Sequence, residues 1–182
     1  MPSNYYSLRI QGGGFWSLSL PGNGQSSDLI DPWSFCRSEN VSYMNPICVN
    51  IYHDGKIADY NQTAFMATVI SARMALAIME VTNVGYQLIP ATISDRTDKW
   101  FILNLLQSFD CIDVDKTVYS PLVEAEQETR HILLLKLASH RIPANTHLLR
   151  VKGWDVVEVV SEELMLHLKH KGITGVDFDS VS

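Results

Sequence analysis

The sequence has few cysteines, fewer charged residues than most globular proteins, and no long hydrophobic run. Its three cysteines, Cys36, Cys48 and Cys111, are widely spaced and form no Cys-x-x-Cys pair, which argues against a disulfide framework and a zinc knuckle. Charged residues make up 19% of the 182 residues and hydrophobic residues 46%, which excludes a globally disordered chain. The length and composition predict a single domain, 1–182, with a substantial apolar core.

Basic residues are outnumbered by acidic ones. The chain has 14 lysines and arginines against 20 aspartates and glutamates, a net charge of −6 that repels phosphate backbones and favours a basic partner over nucleic acid. The first residues lack a basic leader followed by an apolar run of signal-peptide length. The apolar segment 64–79 is shorter than the ~20 residues of a membrane span and contains Arg73. We therefore expect a cytoplasmic protein without membrane segments.

Two helices are predicted within an α+β fold that is mostly antiparallel sheet. The first is a central buried helix over 63–80, with Asn61 as N-cap and an apolar stripe that includes Phe65, Leu76 and Met79. The second covers 162–171, where Ser161 is the N-cap and two glutamates occupy the first turn. We expect both helices to pack on the sheet.

Short strands are predicted along most of the chain. Their expected ranges are 47–52, 86–93, 100–106, 131–137, 147–151, 156–160 and 175–178. Pro90 predicts that 86–93 lies at a sheet edge or contains a bulge, because proline cannot donate to a ladder. The turn at 53–56 predicts a hairpin into Ile57. The sequence shows no internal repeat.

Residue patterns for catalysis or metal binding are weak. The glycines at 12–14 lack the spacing of a phosphate-binding loop, and no Gly-x-Ser-x-Gly motif is present. Cys48 and His53 fit no known nucleophile geometry, and Cys48 is better explained as a core residue. Glu163, His167 and His170 share a helix face, but without a His-Glu-x-x-His motif a solvated face is favoured. We expect no enzyme activity, no cofactor and no metal.

Acidic residues around one aromatic side chain give a candidate binding surface. Asp113 and Asp115 follow a predicted buried strand, and three glutamates alternate just before the next strand. A spacing of two places such glutamates on one side of an extended segment. The simpler interpretation is a solvated face, and the alternative is a docking surface for a basic protein. The candidate partner-binding residues are Asp113, Asp115, Tyr119, Glu124, Glu126 and Glu128.

The second half of the chain carries motifs that resemble a known family. They are Tyr-Gln-Leu-Ile-Pro-Ala-Thr-Ile at 86–93, Trp-Phe-Ile-Leu-Asn-Leu-Leu at 100–106 leading to Asp-Cys-Ile-Asp at 110–113, His-Ile-Leu-Leu-Leu at 131–135, His-Leu-Leu-Arg-Val at 147–151, Val-Val-Ser-Glu-Glu-Leu at 159–164 and Gly-Ile-Thr-Gly-Val-Asp-Phe at 172–178. Residues 84–180 thereby resemble immunity protein family 11 of bacterial polymorphic toxin systems, first described as a myxobacterial domain of unknown function. The chain departs from the family at 148–150, where Leu-Leu-Arg replaces a pattern that often has a phenylalanine before the polar residue.

The resemblance implies a function in binding. Family members are thought to neutralise a toxin delivered between bacteria by contact-dependent or type VI secretion. The resemblance also divides the chain into a variable part, 1–83, and a family core, 84–182. We expect stoichiometric binding of a cognate toxin, and the acidic charge suggests a basic toxin such as a nuclease.

Two alternatives remain open. One is a small enzyme that modifies a toxin or metabolite, with Cys48, His53 and the helix histidines as candidates. The other is an oligomeric scaffold in which a second copy covers the strand containing Pro90.

Overall fold

The structure, a computed structural model, confirms the α+β fold with two helices and mostly antiparallel sheet. It describes residues 4–19, 31–42, 45–63, 67–94, 96–120 and 131–182. The helices are α1 (Ala72–Val81) and α2 (Glu162–His170). The strands are β1 (Tyr5–Ile10), β2 (Ser17–Ser19), β3 (Ile47–His53), β4 (Tyr60–Gln62), β5 (Thr68–Ser71), β6 (Tyr86–Ile93), β7 (Trp100–Leu105), β8 (Ser108–Phe109), β9 (Val118–Tyr119), β10 (Ile132–Leu134), β11 (Leu148–Val151), β12 (Trp154–Ser161) and β13 (Val176–Ser180). In this described part, no helix is long and apolar enough to cross a membrane.

The strands form three sheets. One has the order β2-β3-β6-β7-β5-β4, the second has the order β13-β1-β12-β11-β8, and the third pairs β9 with β10. All described strand pairings are antiparallel except β3 with β6 and β8 with β11. Strands before residue 84 complete both large sheets, since β5 pairs with β7 and β1 pairs with β12 and β13. The variable part and the family core predicted from the sequence are therefore interleaved in space.

The first helix is shorter than the predicted 63–80. Its N-cap is Ser71, which accepts a hydrogen bond from the Met74 amide, whereas the predicted N-cap Asn61 lies in β4. The residues before Ser71 form β5, whose β-branched side chains are fully buried between β4 and β7. The predicted apolar stripe is also wrong, because Leu76 and Met79 are exposed.

Most other predicted elements are confirmed. Helix α2 lies within one residue of its predicted bounds, and β6, β7 and β11–β13 match their predicted ranges. The predicted hairpin into Ile57 is wrong, because β3 pairs with β2 and β6. The edge or bulge predicted from Pro90 is also wrong, since β6 lies between β3 and β7. Strand β3 pairs with β6 only from Ala91 onward, so Pro90 falls outside that ladder.

The chain contains an internal structural repeat that the sequence did not reveal. The repeat has two units, β5-α1-β6 and β12-α2-β13. In each unit the first strand ends at a serine that is the N-cap of the helix, and a glycine with positive φ lies between the helix and the second strand. Ser71 corresponds to Ser161 and Gly85 corresponds to Gly175, and corresponding residues are 90 positions apart. The two glycines have φ values of 87° and 85°. Both helices bury the same three positions, 74, 75 and 78 in α1 and 164, 165 and 168 in α2, and α1 also buries Ala77.

The middle strand of each unit shows how the repeat is closed. Strand β7 lies between β5 and β6, and the N-terminal strand β1 lies between β12 and β13. The backbone hydrogen bonds at the two ends of each middle strand are equivalent in the two units. At one end, the Ala72 amide donates to the Lys99 carbonyl in the first unit, and the Glu162 amide donates to the Asn4 carbonyl in the second. At the other end, the amides of residues 106 and 11 donate to the carbonyls of Gly85 and Gly175, respectively. The second unit is therefore completed by the opposite end of the chain.

The central core is built from equivalent residues of the two units. Corresponding pairs that are buried there are Met74 and Leu164, Ala75 and Met165, Ile78 and Leu168, Ile70 and Val160, and Leu103 and Leu8. Burial of apolar surface is the dominant stabilising term in folding. Each large sheet carries a second cluster, one around Trp16, Phe35 and Trp100, the other around Tyr5 and Val159. The core therefore joins the two units face to face.

Candidate functional site

A groove of about 1010 Å³ lies where three segments of the chain meet. One wall is the 3-10 turn Pro32–Cys36 with the residues that follow it, the second is the start of β12, and the third is the ribbon formed by β9 and β10. Trp33, Tyr119 and Trp154 line it, one from each wall. Concave apolar surfaces with a few polar groups are the usual form of binding sites.

The first wall is organised by Asp31. Its carboxylate accepts a hydrogen bond from the Trp33 amide at 3.1 Å and forms an ion pair with Arg37 at 2.8 Å. Phe35 is fully buried and fixes the turn in the core, while Cys36 is nearly buried at the groove. Burial raises the pKa of the Cys36 thiol, so the thiol stays protonated at neutral pH.

The chain beyond Cys36 is held by side chains of the six-stranded sheet. The Asn104 side chain donates to the Glu39 carbonyl at 2.8 Å, and Gln87 exchanges two hydrogen bonds with the Val41 backbone. Asn104 is itself fully buried. These contacts fix the backbone of Glu39, whose side chain is exposed at the groove.

The second wall rests on a buried ion pair. Arg150 is fully buried, and its guanidinium donates to the Asp155 carbonyl at 2.7 Å and to Glu158 at 2.9 Å. Glu158 also accepts hydrogen bonds from the Thr68 and Tyr60 hydroxyls at 2.9 and 3.3 Å. Burial raises the pKa of the Glu158 carboxyl, and Arg150 and the two hydroxyls oppose that rise. The network holds the backbone of the groove wall at Asp155 in place.

The third wall is the β9–β10 ribbon, which has two different faces. Tyr119 and Ile132 are cross-strand partners, and both line the groove. Val118 and Leu134 are the next cross-strand pair, and both are exposed. Leu133 in β10 and Val114 in the turn before β9 are 66% and 65% exposed, and we call these four exposed side chains the ribbon patch: Val114, Val118, Leu133 and Leu134. Clustered exposed apolar side chains are typical of protein-binding surfaces.

The charges at the groove are unbalanced. Arg37 is paired with Asp31. The carboxylates of Glu39 and Asp155 form no ion pair with any residue that the structure describes. The described lining therefore carries an excess of negative charge.

The sequence-predicted site residues are only partly brought together. Tyr119 lies in the groove. Asp113 forms an ion pair with Lys116 at 3.0 Å and accepts a hydrogen bond from its amide, and the lysine lowers the pKa of the Asp113 carboxyl. Asp115 is exposed in the same turn, and neither aspartate lines the groove. Glu124, Glu126 and Glu128 lie outside the described residues, in the segment between Ser120 and His131.

The residues considered for catalysis or metal binding do not converge. Cys48 and His53 are five residues apart on β3, about 16 Å, and both are exposed. His167 bonds to Glu80 at 2.8 Å, while Glu163 lies 4.0 Å from the His147 ring. Among the residues described, no three His, Cys, Asp or Glu side chains are placed to hold a metal ion.

The chain matches no family model and no curated protein. The resemblance to immunity protein family 11 therefore stays a prediction that rests on the sequence motifs.

The groove residues that sequence reasoning missed include Trp33, Glu39, Trp154 and Asp155. Both tryptophans stand beside turn-forming dipeptides, Asp-Pro at 31–32 and Lys-Gly at 152–153. A tryptophan beside a turn is a usable signal, because a large ring near the surface often serves binding.

Proposed function

We propose that this protein is a cytoplasmic immunity protein that binds one cognate toxin domain and blocks it stoichiometrically. The groove and the ribbon patch together are the contact surface. The observation that carries the proposal is the set of four large hydrophobic side chains exposed on the ribbon and in the turn before it, since the same ribbon lines an aromatic groove with Tyr119. The sequence motifs that resemble immunity protein family 11 supply the class of partner.

The composition of this surface supports binding to a protein. Protein interfaces are enriched in tryptophan, tyrosine and other large apolar residues at their centre, with charged groups at the rim. Here Trp154 and Tyr119 lie in the groove, Val118 and Leu134 are exposed on the ribbon that carries Tyr119, and Glu39 and Asp155 are the charged groups.

The rigidity of the groove supports inhibition by simple occupation. Asp31 fixes the first wall and Arg150 fixes the second through hydrogen bonds to backbone atoms. A surface that is already ordered loses less conformational entropy on binding, which favours tight complexes. Inhibition then needs only the complex, and no bond in the toxin is made or broken.

The test uses the C-terminal toxin domain encoded beside this protein's gene. Toxin activity is titrated with the purified protein, and a sharp endpoint at one molecule per toxin is expected. Leu133→Asp should weaken binding at least tenfold, because it places a charge in the ribbon patch. Leu76→Asp is the matched control, since Leu76 is a similarly exposed leucine on α1, outside this surface, and should leave binding unchanged.

Three results would contradict the proposal. Inhibition at amounts far below the toxin concentration would indicate an enzyme. Self-association without any toxin binding would indicate a scaffold. Equal losses of toxin binding in Leu133→Asp and Leu76→Asp would mean that the contact surface is not at the ribbon patch.

A further inference from the structure

We infer that the groove receives an arginine side chain of the partner, stacked on the aromatic wall and paired with Glu39 and Asp155. This inference rests on the proposed function, because it assigns the chemistry of the segment that enters the groove. It names a residue type that neither the net charge nor the family resemblance specifies.

The first support is the charge at the groove. Glu39 and Asp155 come from different walls, and neither forms an ion pair with a described residue. The guanidinium of Arg37 is engaged by Asp31 at 2.8 Å, and Arg150 is buried and engaged by Glu158 at 2.9 Å. Arg37, the one arginine or lysine of the described lining, is therefore already paired. A cation from outside would complete the charge balance.

The second support is the aromatic lining. Trp154 and Tyr119 are partly exposed at the groove, and Trp33 is half exposed beside them. A guanidinium stacks on aromatic faces and donates several hydrogen bonds in its own plane to carboxylates. A lysine ammonium is more strongly hydrated and lacks this planar arrangement. The combination of flat rings and carboxylates therefore favours arginine.

The third support is the fixed position of both acidic residues. The Asp155 carbonyl accepts a hydrogen bond from buried Arg150, and the Glu39 carbonyl accepts one from buried Asn104. The backbone at each carboxylate is thereby held before any partner arrives. Preorganised groups lose little entropy when they bind, which strengthens an ion pair that is otherwise weak at a surface.

The test uses an octapeptide of glycine and serine with one central arginine, and a second peptide with citrulline in its place. Binding to the full chain is followed by NMR on the Trp154 indole signal, which is assigned with Trp154→Phe. The arginine peptide should shift this signal saturably, and the citrulline peptide should bind at least tenfold more weakly.

The double variant Glu39→Gln/Asp155→Asn should bind the arginine peptide at least tenfold more weakly than the unmodified protein does. The matched control is Asp98→Asn/Glu163→Gln, which removes the same two charges from exposed positions outside the groove and should leave binding unchanged. Citrulline binding as tight as arginine, equal losses in the two double variants, or no saturable shift of the Trp154 signal would each overturn the inference.

Failure here can be told apart from failure of the proposed function. If Glu39→Gln/Asp155→Asn still inhibits the toxin one to one with unchanged affinity and salt dependence, the arginine contact is wrong and the immunity function stands. If the unmodified protein does not bind the toxin at all, the proposed function is wrong whatever the peptides do.

Discussion

The Thr68 hydroxyl donates a hydrogen bond to Glu158 at 2.9 Å, and these two residues occupy equivalent positions in the two structural repeats. The contact joins β5 to β12, so it lies where the two units meet. Tyr60 and Arg150 complete the buried network. Buried ionic groups gain little net stability over apolar residues, but a network of this kind penalises other arrangements of the units. The pairing therefore fixes how the two repeats are oriented.

Removing the threonine hydroxyl tests this contact. Thr68→Val keeps the side-chain shape and leaves Glu158 with one donor fewer, so the free energy of unfolding should fall by about 1–3 kcal/mol. Urea unfolding measures the change. Thr92→Val, at an exposed position of β6, is the control and should stay within about 0.5 kcal/mol of the wild type. Equal effects of the two substitutions would mean that the hydrogen bond contributes nothing.

The two helix N-caps provide a test of the repeat. Ser71 accepts from the Met74 amide and Ser161 from the Leu164 amide, both at 3.2 Å. Replacing either serine by alanine should lower the free energy of unfolding by about 1 kcal/mol, which is the usual contribution of a serine cap. Thermal unfolding of the single variants should therefore give similar shifts. A loss of stability in only one of the two variants would show that the two caps do not contribute equally to the free energy of unfolding.

The two equivalent glycines should respond differently to alanine. Both have positive φ, so both substitutions introduce strain. At Gly175 a Cβ atom would lie 2.5 Å from the Tyr60 carbonyl oxygen, whereas at Gly85 it would meet the flexible end of the Gln107 side chain at 2.7 Å. Gly175→Ala should therefore destabilise the protein more than Gly85→Ala. Urea midpoints compare the two, and the reverse order would contradict the close approach of β4 to Gly175.

Asp59 should make stability depend on pH in the acid range. Burial raises the pKa of its carboxyl, but hydrogen bonds from Arg73, Ser71 and Thr174 outweigh burial and lower the pKa from 3.8 to about 2. A carboxyl whose pKa is lower in the folded state stabilises the fold above its unfolded pKa, and this contribution is lost as pH falls from about 4 to about 2. Asp59 ties the start of α1 to Thr174, so the loss affects both units.

Asp59→Asn isolates this contribution. The wild type should lose about 1–2 kcal/mol more of its free energy of unfolding than the variant between pH 6 and pH 2.5, allowing for solvent screening of the half-exposed Arg73. Urea unfolding at pH 6, 4 and 2.5 measures both proteins. Parallel stability curves would show that Asp59 is not the group responsible.

The closure of the repeat predicts a tolerated circular permutation. The Val181 amide donates to the Tyr5 carbonyl, so the described ends of the chain lie together at a place equivalent to the turn between β6 and β7. Joining the ends and opening the chain between Arg96 and Asp98 should give a cooperative fold with a Tm within a few degrees of the wild type. A permutant opened between Val159 and Val160, inside β12, should not fold. Circular dichroism melting distinguishes the two.

Local signals in the sequence were enough for the elements that end in strong caps. Ser161 with two following glutamates predicted α2, and the run at 100–105, apolar except for Asn104, predicted β7. The segment before Ser71 was ambiguous, because Thr-Val-Ile-Ser carries helical spacing and β-branched residues at once. Only its pairing with β4 and β7, which buries both faces, made it a strand.

The internal repeat was invisible in the sequence for a related reason. Equivalent core positions such as Met74 and Leu164 need only an apolar side chain of suitable size, so the residues differ while the packing is the same. The middle strand of the second unit also stands at the start of the chain, so this strand does not follow the 90-residue spacing of the other elements.

Amino-acid order alone determined the fold class, the second helix and most strands, and it singled out Tyr119, which lines the groove. Tertiary structure decided the start of α1, the closure of the second unit by β1, and the groove. The physical reason is distance along the chain: Trp33, Tyr119 and Trp154 have no local signal that relates them, and they meet only because both sheets pack on one core.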